Sequence, residues 1–203
     1  DVQAVLRRWD LDQSEWSVDS LPGRFALPND RNDKTYLTAF KVMAAQATPF
    51  AWGLSVSQDT TRWGRAWGEA KGLSESTLEL SDVIVAPVSR GLSWVLDGER
   101  VFLSPGGNLS RDEPLHIYYQ VRSGGAGATV ATTISIRKIT GQTVDSLAAL
   151  EVSSSRSLGP GLTAIQQVVD LSRLQPGEYQ LEVRLAEDGG SNRATRVLRL
   201  RLE

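Results

Sequence analysis

The chain has 203 residues and a mass of 22.1 kDa, which suffices for one large domain or two ordinary ones. Its 22 Lys and Arg residues against 24 Asp and Glu residues give a net charge of −2, whereas a nucleic-acid binder needs a basic surface. The absence of cysteine excludes disulfides, Fe–S clusters and Cys-ligated zinc, and His116 is the single histidine. The composition is that of a globular protein and argues against most enzyme classes.

The chain begins at Asp1 rather than at Met, so we expect that a signal segment has been removed or that the chain is a fragment. No run approaches the ~18 consecutive apolar residues of a membrane-spanning helix, so we expect no membrane span of its own. The lack of cysteine also excludes a lipid anchor on an N-terminal Cys in this form. At a membrane, the protein would have to be held by a partner.

Alternation of apolar and polar residues, which is typical of strands, dominates the first third of the chain. Residues 2–9 fit either two helical turns or a strand, and residues 36–45 are predicted to form a strand. Residues 50–56 alternate cleanly, residues 58–61 are predicted to turn the chain, and residues 63–70 return it as a second strand.

A polar stretch without periodicity at residues 72–76 is predicted to be a linker. We therefore place a domain boundary near residue 74. A small β-rich N-terminal module of residues 1–73 precedes a C-terminal module of residues 77–203. The smaller module is near the size at which a domain becomes marginally stable, so we expect the two modules to support one another.

The C-terminal module is predicted to contain strands with one apolar face each, at residues 115–122, 130–136, 179–185 and 198–202. The last two are predicted to form a hairpin with a turn at residues 188–192. The residues predicted to face the interior are Leu115, Ile117, Tyr119, Val121, Val130, Thr132, Ile134, Ile136, Tyr179, Leu181, Val183, Leu185, Leu198, Leu200 and Leu202. His116 and Tyr118 alternate with the first set, so we predict that they face solvent.

Residues 171–183 resemble the segment that leads into the penultimate strand of bacterial immunoglobulin-like sandwiches. Pro176 and Gly177 supply a fixed and a permissive backbone φ at the corner. The resemblance implies that the ring of Tyr179 packs inward and that its hydroxyl bonds back to the loop, as in a tyrosine corner.

Residues 78–86, followed by residues 101–105, look like the opening of the last module in bacterial envelope proteins of the GWxTD type. The GWxTD motif itself is missing, so the resemblance is to the β-modules that accompany it, over roughly residues 37–203. It implies an all-β fold of two tandem immunoglobulin-like β-sandwich modules, at the periplasmic or extracellular face of a bacterial envelope. Such modules mostly serve as scaffolds, although a fold does not determine a function.

Two pairs of acidic residues lie in turn-like sequence: Asp97 with Glu99, and Asp112 with Glu113. Paired carboxylates can serve glycoside hydrolysis or bind calcium, but acids in turns are also commonly just solvated. No Asp-x-Asp-x-Asp-Gly loop accompanies either pair. We therefore predict no metal site and no carboxylate catalysis here.

Other catalytic and cofactor patterns are also weak. A Ser–His–Asp set around His116 would need Ser110 or Asp112, and no strained nucleophile turn occurs near them. The glycine-rich stretches 104–109 and 124–127 lack the following Lys and Ser or Thr of a phosphate-binding loop. We predict no catalytic residue and no cofactor.

The tryptophans are distributed unevenly, because five of the six precede residue 70. Trp63, Arg65 and Trp67 share one face of a strand, with Trp52 on the partner strand; their rings form either the core of the small module or an exposed platform. The other face of this hairpin is predicted to be flat and made of small residues, on which another protein could approach closely. Its predicted members are Ala51, Gly53, Ser55, Ser57, Gly64, Ala66, Gly68 and Ala70. The candidate protein-docking residues are Ala51, Gly53, Ser55, Trp63, Gly64, Arg65, Ala66, Trp67 and Gly68.

The final predicted strand carries four arginines: Arg193, Arg196, Arg199 and Arg201. Alternation places all of them on one face except Arg196. We expect Glu178 and Glu182 on the neighbouring strand to pair with this strip as a solvated ladder, and an anion site is the alternative.

Three functions remain open. The leading hypothesis is a non-catalytic extracytoplasmic scaffold or accessory subunit that binds proteins and stabilises a larger envelope or membrane-associated assembly. One instance would be an extrinsic subunit of a photosynthetic reaction-centre–antenna complex. The second hypothesis is a carbohydrate- or ligand-binding module that uses Trp63 and Trp67 as a platform. The third is a hydrolase with a scattered site, which would require two carboxylates at catalytic spacing in a concave pocket.

Overall fold

The computed structural model describes residues 3–10, 15–21, 49–57, 63–71, 78–87, 93–96, 98–102, 108–123, 127–159 and 161–203. Every regular element in these ranges is a strand, so the prediction of an all-β fold is confirmed. The chain divides into two compact units, Asp1–Gly72 and Leu73–Glu203. Several predictions lie outside the described residues: the strand at 36–45, the turn at 58–61, the linker at 72–76, the glycine-rich residues 104–107 and 124–126, and Asp97.

The first unit contains a four-stranded antiparallel sheet with the strand order β2-β1-β3-β4. Residues 2–9, which fit a helix or a strand by sequence, belong to a strand. The alternating residues 50–56 and 63–70 form a hairpin, as predicted. The strands are β1 (Gln3–Asp10), β2 (Glu15–Leu21), β3 (Pro49–Ser57) and β4 (Trp63–Lys71).

The second unit contains two larger sheets and a separate hairpin. In one sheet, β10 (Leu115–Arg122) lies between β14 (Leu162–Val169) and the pair β5 (Glu79–Leu80) and β6 (Ile84–Pro87). The other sheet is built on β11 (Thr129–Thr140), β15 (Gly177–Glu187) and β16 (Arg193–Leu202). At its edges lie β12 (Thr143–Val144), β13 (Leu150–Ser157) and β9 (Asn108–Leu109). The hairpin is β7 (Ser93–Leu96) with β8 (Glu99–Phe102).

The core of the second unit draws apolar residues from both larger sheets into one cluster. Ile117 of β10, Ile134 of β11 and Leu181 of β15 are all fully buried. All residues predicted to face the interior are buried except Leu198, which is half-buried. Burial of each large aliphatic side chain contributes about 1.5–3 kcal/mol, so this cluster is the main source of stability in the unit.

Strands β5 and β6 are one edge of the sheet interrupted by a β-bulge. Leu80 lies opposite Val121 and Ile84 lies opposite Tyr118, so three residues on this edge oppose two on β10. The hydroxyl of Ser81 accepts the backbone N–H of Gln120 at 2.8 Å, and its own backbone N–H donates to the Gln120 carbonyl at 2.9 Å. Ser81 thereby supplies the hydrogen bonds that the shifted register would otherwise lose.

The corner before β15 has the geometry that the sequence implied. The Tyr179 hydroxyl donates a hydrogen bond of 2.7 Å to the carbonyl of Gln175, and the side chain is buried. Gly177 has a φ of +148°, a conformation that favours glycine. The expected bond from the tyrosine hydroxyl back to the loop is therefore confirmed.

Candidate functional site

The register of the β3–β4 hairpin determines which docking candidates share a face. Trp52 lies opposite Gly68, and Gly53 lies opposite Trp67. Residues directly opposite each other in an antiparallel pair lie on the same face of the sheet. From Phe50 to Ser57, each larger residue of one strand therefore lies opposite a small residue of the other.

The predicted face made only of small residues does not exist. Such a face would require β3 and β4 to pair one residue away from the observed register, because a shift of one residue exchanges the two faces of a strand. Of the nine docking candidates, Ala51, Gly53, Ser55, Trp63, Arg65 and Trp67 lie on one face. The remaining three, Gly64, Ala66 and Gly68, lie on the other face together with Trp52.

The register of the whole sheet extends the first of these faces to two more tryptophans. Trp9 and Trp16 lie directly opposite each other on β1 and β2, and Trp9 lies opposite Ala51 of β3. Arg7 lies opposite Gly53, on whose other side lies Trp67. We call this set the tryptophan face; its members are Gln3, Val5, Arg7, Trp9, Trp16, Val18, Ser20, Pro49, Ala51, Gly53, Ser55, Ser57, Trp63, Arg65, Trp67, Glu69 and Lys71.

The opposite face of the same sheet has a different composition along its two central strands. Leu6 of β1 lies opposite Leu54 of β3, which lies opposite Ala66 of β4. The members from β3 are all apolar: Phe50, Trp52, Leu54 and Val56. Trp9 and Trp16 were not predicted as members of the tryptophan face, because periodicity within a strand says nothing about the register between strands.

His116 was predicted to face solvent, and this prediction is wrong: the residue is 4% exposed. The ring of Phe102, on β8, packs edge-on against the imidazole with the ring centroids 4.9 Å apart. Tyr118, its neighbour on the same face of β10, is also buried. The β7–β8 hairpin covers this face of β10. The alternation of residues within β10 alone could not predict that cover.

A chain of hydrogen bonds ties three strands together at His116. Its Nε2 lies 2.8 Å from Oε1 of Gln166 on β14, and Nε2 of Gln166 donates to Oε2 of Glu99 on β8 at 2.7 Å. Because a carboxylate only accepts, the Gln166 amide must present its oxygen to the imidazole, and His116 must donate from Nε2. Its other ring nitrogen, Nδ1, is buried without a hydrogen-bond partner.

This arrangement leaves the imidazole no route to a substrate. A general base must reach the proton that it abstracts within hydrogen-bond distance, or through one water. His116 has one nitrogen committed to Gln166 and the other enclosed in the protein. The histidine therefore serves to hold the β7–β8 hairpin against β10 and β14.

Tyr119 is a buried tyrosine of β10 with a shifted pKa. Burial raises the pKa of its hydroxyl above the ordinary 10.0, and this effect outweighs the lowering effects of the neighbouring Thr132 side chain and of the charge of Arg156. Its ring belongs to the core cluster. Tyr119 is therefore a neutral core residue at physiological pH.

The acidic candidates of the second unit do not assemble into a site. Asp112 is exposed and lies 3.7 Å from the guanidinium of Arg111, and Glu99 is bound to Gln166. Among the residues that the structure describes, no group of three or more His, Asp or Glu side chains is close enough to hold a metal ion.

Three of the four arginines of β16 lie on one face, as predicted, but Glu182 does not form the predicted ion pairs with them. Arg193, Arg199 and Arg201 lie opposite outward-facing positions of β15, whereas Arg196 lies opposite the buried Val183. Glu182 lies opposite Val197 and forms its ion pairs with Arg137, at 3.5 Å, and Arg184. Its predicted pairing with the strip is therefore wrong. Glu178 lies opposite Arg201 in the register.

No helix in the described ranges has the length and apolarity needed to cross a bilayer.

Comparisons with known proteins identify no family for the chain. No protein-family model matches it, and no curated protein matches its sequence. One similar solved structure is a DUF4785 family protein from Legionella pneumophila, with 15% identity, a TM-score of 0.38 and coverage of 99% of this chain and 48% of that protein. Another is a tetra-tandem repeat in the extending region of a large adhesion protein, with 13% identity, a TM-score of 0.32 and coverage of 100% and 42%. The chain thus spans less than half the length of either protein.

Proposed function

We propose that the chain is a non-catalytic module that binds other proteins, as a scaffold or accessory subunit of a larger envelope or membrane-associated assembly. The observation that carries this proposal is the register of the N-terminal sheet, which gathers four tryptophans and two arginines on the tryptophan face. Tryptophan and arginine are the residue types most enriched at the energetic centres of protein interfaces.

The composition of β3 supports the tryptophan face as the docking surface. A sheet of this size must bury one face to be stable. On the opposite face this central strand contributes only large apolar residues, Phe50, Trp52, Leu54 and Val56, which suits an interior. Charge does not distinguish the two faces, because Arg7 and Arg8 lie on different faces of the same central strand.

The enclosure of His116 supports the non-catalytic part of the proposal. The chain has no cysteine and one histidine, and that histidine is bonded to Gln166 beneath Phe102. Two side chains common in acid–base and nucleophilic catalysis, cysteine and histidine, are thus absent and enclosed respectively.

The immunoglobulin-like nature of the modules and their location outside the cytoplasm belong to the same proposal. The tyrosine corner at Tyr179 and the packing of two sheets around one core support an immunoglobulin-like C-terminal module. An envelope location follows from the resemblance of residues 78–86 and 101–105 to modules of bacterial envelope proteins. The expected partners are proteins, including an integral membrane complex.

A carbohydrate-binding module is the second candidate, and one observation favours it. Trp63 and Trp67 lie four positions apart on the same face of β4, about 13 Å along the strand. The residues of the neighbouring strand β3 that lie opposite Trp63–Glu69 on this face are small: Ala51, Gly53, Ser55 and Ser57. A face with tryptophans along one strand and small residues along the next suits stacking against a chain of sugar rings.

Two matched substitutions of an alanine test the protein-binding proposal. Ala51→Arg places a long charged side chain on the tryptophan face, and Ala131→Arg places the same side chain at an exposed position of β11 in the second unit. The immobilised chain and both variants would be incubated with detergent-extracted native membranes and washed at low and then at high salt. We expect the unchanged chain and Ala131→Arg to retain the same integral complex, and Ala51→Arg to lose it.

Circular dichroism of both variants establishes that they are folded. Equal retention by Ala51→Arg and the unchanged chain would show that the tryptophan face is not the docking surface. A glycan array distinguishes the second candidate: sugar binding that is lost in Trp63→Ala and Trp67→Ala would replace the protein-binding proposal with the carbohydrate one.

A further inference from the structure

Strand β14 is an edge strand without the usual protection against pairing with another strand. Among the described strands it pairs only with β10, over all eight residues and without a bulge. Its sequence, Leu162–Val169, contains no charged residue, no proline and no glycine. Natural sheet edges are commonly blunted by charges, proline, bulges or shortness.

The other edges of the same unit carry this protection. Strands β5, β9 and β12 have two residues each, and β6 ends in Pro87. Strand β13 is as long as β14, but it carries Glu151 and Arg156. Strand β16 pairs with β9 over two residues only, and the rest of its outer edge carries Arg193, Arg196 and Arg199. Strand β7 has four residues. Among the described strand edges of this unit, the edge of β14 is therefore the one least protected against pairing with a further strand.

Two apolar residues of β14 are exposed to solvent on the same face of the strand. Leu162 is 43% exposed and Val168 is 63% exposed. They lie opposite Arg122 and His116 of β10, on the face away from the core. Between them, at the middle of the strand, Ile165 lies on the core face and is buried. The two exposed residues are three positions on either side of Ile165.

This symmetry makes β14 complementary to a second copy of itself. In an antiparallel pair with a two-fold axis normal to the sheet, residues that face each other must lie on the same face of the strand. A pairing centred on Ile165 meets this condition and places Leu162 of each copy opposite Val168 of the other. Thr163 then lies opposite Gln167, and no like charges meet.

We propose that two copies of this chain associate through β14, in antiparallel register about Ile165, so that the β10 sheets of both copies become one continuous sheet. The strand that pairs with this edge is β14 of a second copy, because Leu162 and Val168 of the same sequence supply both sides of the apolar contact. The proposal goes beyond the protein-binding function, since the tryptophan face plays no part in it.

The mass of the chain in solution, measured by sedimentation equilibrium over a range of concentrations, tests the association. We expect a species of twice the 22.1 kDa of one chain for the unchanged protein. Val168→Lys places a charge at the edge and is expected to give a monomer. Val197→Lys is the matched control, because Val197 is 52% exposed on β16, and it is expected to remain dimeric. A monomer of the unchanged chain at every concentration would overturn the proposal, as would a dimer of Val168→Lys.

Disulfide formation tests the register, because the natural chain has no cysteine. The double variant Leu162→Cys/Val168→Cys is expected to form a covalent dimer under mild oxidation. Positions 162 and 168 of one strand are about 20 Å apart, beyond the reach of a disulfide within the copy. The single variant Val168→Cys is expected to stay monomeric on a denaturing gel, since the register holds its two copies apart. Equal cross-linking of the single and the double variant would overturn the register.

Discussion

His116 and Gln166, which are fifty positions apart in sequence, meet at 2.8 Å between Nε2 and Oε1. The contact joins the middle strand of one sheet to its edge strand. Through Glu99 it also reaches the hairpin that covers that sheet. The single histidine of the chain is thus part of the structure that holds the cover in place.

Gln166→Ala is expected to destabilise the chain by about 1–3 kcal/mol, because the Nε2–H of the buried His116 loses its acceptor. The measurement is the free energy of unfolding from urea titration, followed by circular dichroism. Gln142→Ala is the control, since Gln142 is exposed in the turn between β11 and β12, and a change within about 0.5 kcal/mol is expected. Equal losses in the two variants would contradict the structural role of His116.

Tyr179→Phe is expected to cost about 1–3 kcal/mol, because it removes the hydroxyl that satisfies the Gln175 carbonyl while keeping the packed ring. Thermal unfolding by circular dichroism measures the loss. A variant as stable as the unchanged chain would mean that water satisfies this carbonyl and that the corner owes its stability to ring packing alone.

The features that the sequence predicted correctly are local. Alternation within a strand assigns each residue to one of two faces, and for β10, β11, β15 and β16 the apolar face is the buried one. The corner at Tyr179 involves residues four positions apart. Both follow from backbone geometry over a few residues.

The features that the sequence did not predict depend on which strands become neighbours. Trp52 lies opposite Gly68 and on the other face from Trp67, because the hairpin register is one residue away from one that would gather the small residues on a single face. His116 is buried because Phe102, from a different hairpin, lies over a face that alternation marked as exposed. Neither relationship is encoded in the periodicity of a single strand.

Ser81→Ala is expected to loosen the bulge between β5 and β6, because the backbone N–H of Gln120 loses its acceptor at 2.8 Å. We expect a loss of about 1–3 kcal/mol in the free energy of unfolding. Hydrogen exchange of the Gln120 amide provides a local measurement, and faster exchange in the variant is expected. Unchanged exchange would show that another group holds this amide. Ser154→Ala, which removes an exposed bond to Gln167, serves as the control with little expected effect.

Asp170 is expected to make the stability of the chain depend on pH in the acidic range. Its Oδ1 accepts the backbone N–H of Ser172 at 2.9 Å, and hydrogen bonds from Ser172, with a smaller effect from Arg173, hold the pKa of the carboxyl below the ordinary 3.8. Because the folded pKa is the lower one, the stabilisation is complete above pH 3.8 and is lost as the pH falls through the folded pKa.

Asp170→Asn, which keeps an acceptor at the same position but removes the charge, isolates this dependence. The difference in melting temperature between the unchanged chain and the variant is expected to be constant from neutral pH down to about 4 and to shrink at lower pH, as the native carboxyl becomes protonated. Asp112→Asn is the control, because Asp112 is exposed and accepts no hydrogen bond from a backbone N–H in the described structure. A difference for Asp170→Asn that stays the same at every pH would mean that the hydrogen bond from Ser172 does not distinguish the ionised from the protonated carboxyl.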